Sequence, residues 1–275
     1  MHKPPVVGSL SEFIKAVEKI QKEWSDQDEE GYVYPWFRGH SNNTHRLLPG
    51  LYRNEKVKED EKNLKDEKDI EEKVLENEYT FRWDFQLKAH PFLADSAFGV
   101  PGNDWEWYFL MQHYGLPTRL LDWTEGSLIA LHFALFFKTD EDQTDPCVWV
   151  LNPWELSGLS EKDRFIFDFT DEPLRPYLSK LWSYDDLPQY PIGVQPVYKS
   201  KRIVVQKGMF TIHGSDQIAL EDIEELKPWL KRIDIKYEQT DIIKAELQMA
   251  GVTQSSLFPE LSGLAQELKE YWKQA

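Results

Sequence analysis

One stretch limits the architecture more than any other. Ser127 to Phe137 is apolar nearly all the way round. A helix of that kind must be covered on every side, which predicts a central helix packed between other elements. The run before it, Gln112-His113-Tyr114-Gly115-Leu116-Pro117-Thr118-Arg119-Leu120-Leu121-Asp122-Trp123-Thr124, crowds histidine, arginine, aromatics and a tight glycine together. Gly115 is placed to end a helix over Asn103–His113, where a positive φ is cheap, and Pro117 blocks its resumption. Asp122 and Glu125 stand three apart before the buried helix, in the pattern of an N-terminal capping pair.

A second crowded stretch is Trp36-Phe37-Arg38-Gly39-His40. Tyr32 to Arg38 is β-branched and aromatic, which predicts a strand ending at Gly39, with Tyr34, Trp36 and Arg38 on one face. A core needs no arginines and a solvated loop needs no tryptophans. Together the two stretches suit a half-buried cleft that grips an anionic or flat ligand.

Each residue in these stretches has more than one role open to it. Arg38 could offer its planar fork to a phosphate or carboxylate, with Gly39 letting the ligand approach the backbone. It could equally pair with one of the chain's many acids. Arg119 and Asp122 fit either the cleft, beside an anion-attracting helix N-terminus, or an internal salt bridge. His113 and Tyr114 fit a general base with a stacking ring, or a core aromatic pair. His132, inside the apolar helix, reads as a core histidine. His40 and His45 lie five apart in a loop, and no histidine or cysteine spacing matches a zinc site, so no metal is expected. Neither a P-loop nor a Gly-x-Ser-x-Gly elbow is present.

Composition narrows the partners. The net charge is −16, with 48 acidic against 32 basic residues. Duplex binding rests largely on lysine and arginine, so non-specific DNA binding is not expected, nor is an anionic membrane surface. The lone cysteine, Cys147, sits in the apolar run Cys147–Leu151 and reads as a buried strand residue in a reducing, cytoplasmic setting. No basic-then-apolar leader and no long apolar span stands out.

Along the chain, Ser9-Leu10-Ser11-Glu12 reads as a capping box opening an amphipathic helix to about Trp24. Glu55 to Glu78 is a charged run that predicts a solvated helical insertion, continued by an aromatic helix from Tyr79 to Leu93. Asn152 to Pro196 reads as irregular, with short helices around Glu155 and Leu174. Arg202–Gln206 and Met209–His213 read as strands bent at Gly208, and Arg232–Tyr237 as a half-buried strand. A helix over Asp241–Ala250 closes at Gly251, and a last amphipathic helix starts at Pro259. The whole predicts one α+β domain over residues 1–275. A small, mainly antiparallel central sheet is surrounded by helices, with the insertion at about 55–95 and a C-terminal helical segment at about 241–273.

Phe37-Arg38-Gly39, the run Gln112 to Thr124 with Ser127, Ala130, His132, Phe133 and Ala134, then Gln206, Gly208 and Phe210, and the late Ser256-Leu257-Phe258-Pro259-Glu260-Leu261 resemble the FRG domain, a family of bacterial and phage proteins. The resemblance spans roughly Ser9 to Leu268. A more distant one is to ADP-ribosyltransferases of the Arg-Ser-Glu type, in which an aromatic-Arg-Gly strand holds the pyrophosphate side of NAD. It implies a split sheet and NAD as substrate. Arg38, His113, Asp122 and Gln206 would be the catalytic set, and Gly39, His40, Tyr114, Arg119, Trp123, Thr124 and Phe210 the binding set. Gln206 stands where that family has a glutamate, and a glutamine is no anionic catalyst. Two functions therefore stay open: an NAD-cleaving enzyme with a protein or nucleic-acid acceptor, and a non-catalytic nucleotide-sensing module in phage–host conflict.

Overall fold

The computed structural model describes residues 3–27, 33–53, 67–93, 99–137, 143–160, 164–168, 175–178 and 187–274. Its strands are β1 (Val6–Val7), β2 (Trp36–His40), β3 (Leu120–Thr124), β4 (Cys147–Leu151), β5 (Phe167–Asp168), β6 (Ile192–Gln195), β7 (Gly208–Ile212) and β8 (Leu230–Ile235). They form one sheet in the order β1-β8-β4-β2-β3-β7-β6-β5. The two outermost pairings are parallel and the five inner ones antiparallel. The α+β class and the mainly antiparallel sheet stand, although at eight strands the sheet is not small.

The middle of the sheet positions the site. β2 keeps register with β4 from Trp36–Leu151 to His40–Cys147, and β3 keeps register with β7 from Leu120–Ile212 to Thr124–Gly208. Between β2 and β3 the register holds at Phe37–Thr124 alone. Beyond that pair the two halves of the sheet part. The backbone groups there need other partners, because a buried carbonyl left unpaired is costly.

Helices pack against the sheet. The first, α1 (Leu10–Ser25), buries Phe13, Val17, Ile20 and Trp24. Ser9 Oγ accepts from the Glu12 amide at 3.2 Å, while the Glu12 carboxylate reaches back to the Gly8 amide at 2.8 Å. The charged helix α2 (Glu67–Ala89) follows, then α3 (Asp104–His113), capped by Asn103. Gly115 takes φ +78°, the left-handed geometry expected of it. Next comes α4 (Ser127–Phe136), the apolar helix, with Ile129, Ala130, Leu131, His132, Ala134 and Leu135 buried.

After β4 come the short helices α5 (Pro153–Ser157) and α6 (Arg175–Leu178), then α7 (Lys201–Gln206), α8 (Thr240–Met249), α9 (Gln254–Leu257) and α10 (Leu261–Gln274). No described helix is long and apolar enough to cross a membrane.

Several expectations need correcting. Lys201–Gln206 is a helix, not a strand: Ser200 Oγ accepts from the Ile203 amide at 3.2 Å as an N-cap, and Lys207 at φ 45° closes it. Asp122 caps nothing, because it lies within β3. Gly126 is the N-cap of α4, and Thr124 Oγ1 accepts from its amide at 3.0 Å. Residues 152–196, read as irregular, contain the registered strand β6. On α10, Leu261, Leu264, Leu268 and Trp272 face outward, and Gly263 is the residue packed against Phe258. The early part of the charged insertion, 54–66, and Leu174 lie outside the described residues.

Candidate functional site

A cavity of about 480 Å3 lies over the parting of the sheet. Its floor comes from β2, β3 and β7, and its walls from α3, α4 and α7. Of the residues picked out from sequence, Arg38, Gly39, His40, His113, Asp122, Trp123, Thr124, Gln206 and Phe210 all line it. These residues come from distant parts of the chain, and the parted strands bring them to one hollow.

Arg38 occupies the gap between the halves. Its Nη1 donates to the backbone carbonyl of Asp122 at 2.6 Å, supplying the partner that the interrupted ladder withholds. Its Nε donates to His40 Nε2 at 3.0 Å. His40 must therefore carry its proton on Nδ1, which donates to the His45 carbonyl at 3.2 Å. Burial pushes His40 down to about 3, and the charges of Arg38, His45 and Arg53 add to the effect, so the ring is a neutral acceptor at pH 7. His40 thus orients Arg38 and is itself buried. Burial also lowers the Arg38 guanidinium; Arg53 adds to this and Asp122 opposes it.

The Asp122 carboxylate accepts from Gln112 Nε2 at 2.9 Å and faces Arg38 Nη1 at 3.7 Å. Its side chain is 59% exposed, against 18% for Arg38. It is the acid among the described lining residues. His113, half-buried, is lowered by desolvation and by Arg202, with Glu260 and Asp122 pulling the other way.

Gln206 is committed elsewhere: its Nε2 donates to the Leu257 carbonyl at 3.0 Å, tying α7 to α9. Thr124 Oγ1 donates to the Gln206 carbonyl at 2.6 Å. Trp123 is buried, with its indole N–H on Thr211 Oγ1 at 3.1 Å. Phe210 stacks on Phe109 at 5.3 Å between centroids.

Gly39 serves the fold. A Cβ there would overlap the Ala130 carbonyl oxygen and come within 2.6 Å of the Ala134 nitrogen. The glycine lets α4 lie directly on β2, rather than opening the backbone to a ligand.

Two expected residues lie elsewhere. Tyr114 is 58% exposed and does not line the cavity. Arg119 is buried away from it. The Arg119 Nε donates to Glu78 Oε2 at 2.8 Å, and both side chains are under 5% exposed. Its Nη1 donates to the His213 carbonyl at 3.1 Å, and its Nη2 to the Tyr177 carbonyl. Burial alone would lower this guanidinium, but Glu78 and Tyr108 hold it above its usual value. Arg119 therefore has an internal partner, Glu78 rather than Asp122. This bond fastens the charged helix α2 into the body.

Other lining residues were not picked out from sequence: His45, Arg46, Arg53, Arg202 and Phe137. Arg202 lies over the Phe258 ring at 4.7 Å, and Phe133 stacks with Phe137 at 5.6 Å. The signal for Phe137 was its position one turn after Phe133. The loop arginines carried no signal that set them apart from other charges.

Residues 34–143, which include both crowded stretches, match the FRG domain family. The chain carries an FRG domain. The match runs from just before β2 to just after α4, so the FRG domain contributes Arg38, the Asp122 strand and two helical walls of the cavity. It is shorter than the Ser9–Leu268 span of the resemblance, and the strands from β4 onward lie beyond it. No curated protein and no solved structure matches the chain. Among the described residues, no cluster of three or more histidine, cysteine, aspartate or glutamate side chains is placed to hold a metal.

Proposed function

We propose that the cavity over the parted sheet, which the FRG domain lines in part, binds a nucleotide, with a phosphate at Arg38 and the flat ring against the Phe133–Phe137 wall. One observation carries the reading. In a chain of net charge −16, Arg38 is fixed on the cavity floor by two hydrogen bonds, while its Nη2 has no partner among the described residues. A guanidinium held this way has little freedom left to lose on binding, and each charge-assisted hydrogen bond to phosphate contributes about 1.5–3 kcal/mol. The aromatic pair offers a stacking face for a base.

A second reading makes the site an enzyme that cleaves NAD, and the position of Asp122 favours it. A carboxylate in the cavity, next to the arginine that would hold the phosphates, could stabilise positive charge developing at the ribose C1′. The C1′–N bond to nicotinamide would break, with the electron pair leaving on the ring nitrogen. Water or an acceptor nucleophile would then bond to C1′ and give up a proton. Gln206 takes no part in this account, because its amide is tied to Leu257.

Thermal denaturation with AMP, ADP and NAD tests the binding reading. Stabilisation should follow RT ln(1+[L]/Kd), about 2.7 kcal/mol at a hundred times Kd, and Arg38→Gln should abolish it. Indifference of the wild type to every nucleotide would refute it. Nicotinamide release from NAD separates the enzyme from the sensor. Asp122→Asn should slow an enzyme by about 10²–10⁴-fold. Binding without release would leave a nucleotide sensor, the module expected in phage–host conflict.

A further inference from the structure

We infer that Arg53 and Arg38 together form a subsite for two adjacent phosphates, so the ligand class is a nucleoside diphosphate or dinucleotide rather than a nucleoside monophosphate. This rests on the nucleotide reading above and narrows it.

The arginines that line the cavity are neutralised to different degrees. Arg46 is matched outright: its Nε meets Glu221 at 3.3 Å, and its Nη2 pairs with Asp222. Arg202 stacks on Phe258. Arg53 lines the same cavity and has no hydrogen bond or ion pair among the described residues. Arg38 has only Asp122, at 3.7 Å, and that carboxylate is shared with Gln112. Two guanidinium groups therefore line one hollow whose described lining holds a single acid, Asp122. Their proximity registers in both neighbours, since the charge of Arg53 lowers Arg38 and His40 alike. Like charges brought together in a partly desolvated cavity repel, and an anion between them turns the repulsion into attraction.

The two arginines are unequal and come from separate elements. Arg38 sits on β2 and has spent Nε and a proton of Nη1 on His40 and Asp122, so Nη2 is what it offers outward. Arg53 closes the turn held by the Leu51 amide on the Thr118 carbonyl at 3.1 Å, and keeps its whole fork. A free fork grips one phosphate in bidentate fashion, and the remaining nitrogen of Arg38 is suited to its neighbour. A lone phosphate would leave one of the two cations unmatched. His40 does not supply the charge, since its ring is a neutral acceptor at pH 7 and serves to hold Arg38.

The test is titration calorimetry of the full chain with AMP, ADP, inorganic phosphate and pyrophosphate. Wild type should bind ADP at least about tenfold more tightly than AMP, and pyrophosphate more tightly than phosphate, by the worth of one charge-assisted contact. Arg53→Gln should bring the ADP-to-AMP ratio near one at an unchanged melting temperature, and Arg53→Lys should restore part of it. Equal affinity of wild type for AMP and ADP, or a ratio untouched by Arg53→Gln, would overturn the inference while the nucleotide reading stands. Pyrophosphate binding that depends on Arg53, with no nucleotide bound, would uphold the subsite and remove the nucleotide. Failure to bind any of the four would end both.

Discussion

Glu78→Gln should destabilise this protein strongly, although Glu78 lies outside the cavity. The substitution keeps the side chain's length and one oxygen acceptor, removes its charge and turns the other acceptor into a donor. In the native chain Glu78 accepts from Arg119 Nε at 2.8 Å and from the Arg119 amide at 3.3 Å, and it also accepts from the Tyr108 hydroxyl. The Arg119 side chain is 3% exposed, so water cannot take the carboxylate's place. Breaking a buried pair from one side costs about 3–5 kcal/mol, because the remaining charge stays buried and unmatched. At about 2–4 °C per kcal/mol for a chain of this size, the melting temperature should fall by roughly 6–20 °C.

Urea denaturation measures the loss directly, with an unchanged m-value showing that the unfolding transition is of the same kind. Raising the salt concentration should not rescue the variant, because a buried pair is poorly screened. Removing both charges with Glu78→Leu and Arg119→Met together should cost less than the sum of the two single changes. A loss below about 1 kcal/mol for Glu78→Gln, or strict additivity of the double variant, would refute the reasoning.

Gly39→Ala should also be costly, by about 1–3 kcal/mol or more, since its methyl group has no room beneath the backbone of α4 at Ala130 and Ala134. Chemical denaturation reads this, and a neutral result would show that α4 does not rest on β2. Stability should also fall with acid from pH 6.5 downward. Burial first, with nearby cationic charge, holds His40 and His213 at about 3, and burial holds His132 at about 4 against the opposing charge of Glu267. The unfolded chain takes up protons near pH 6.5, before the folded one does, so the contribution is complete above that value and is lost as pH falls toward 3–4. Each group costs up to about 1.4 kcal/mol per pH unit. Urea midpoints between pH 7.5 and 5 isolate this from most carboxylate titration, and a flat profile over that range would contradict it.

The sequence announced those elements whose physics is local. The all-apolar Ser127–Phe136 helix, the Gly115 stop and the Ser9 cap depend on neighbours a few positions away, and they appear where expected. Lys201–Gln206 misled because Ile203, Val204 and Val205 favour strands, whereas the Ser200 cap and the left-handed Lys207 make it a helix. Glu78 could not be told from its charged neighbours in α2, since its partner lies 41 positions away. The same limit hid Arg53. The cavity itself was half legible. Unusual residues flagged β2 and β3, but only tertiary register shows that the strands part after Phe37–Thr124 and that Arg38 fills the gap. Gly39 was legible as constrained and misread as to cause, because the backbone that crowds it belongs to a helix and not to a ligand.

A crystal structure of the chain soaked with ADP-ribose tests the central claim most directly. The account predicts density in the cavity, with one phosphate within hydrogen-bonding distance of Arg38 Nη2, its neighbour on Arg53, and a ring against Phe133 and Phe137. An empty cavity at saturating ligand, or a ligand bound elsewhere with Arg38 untouched, would contradict it.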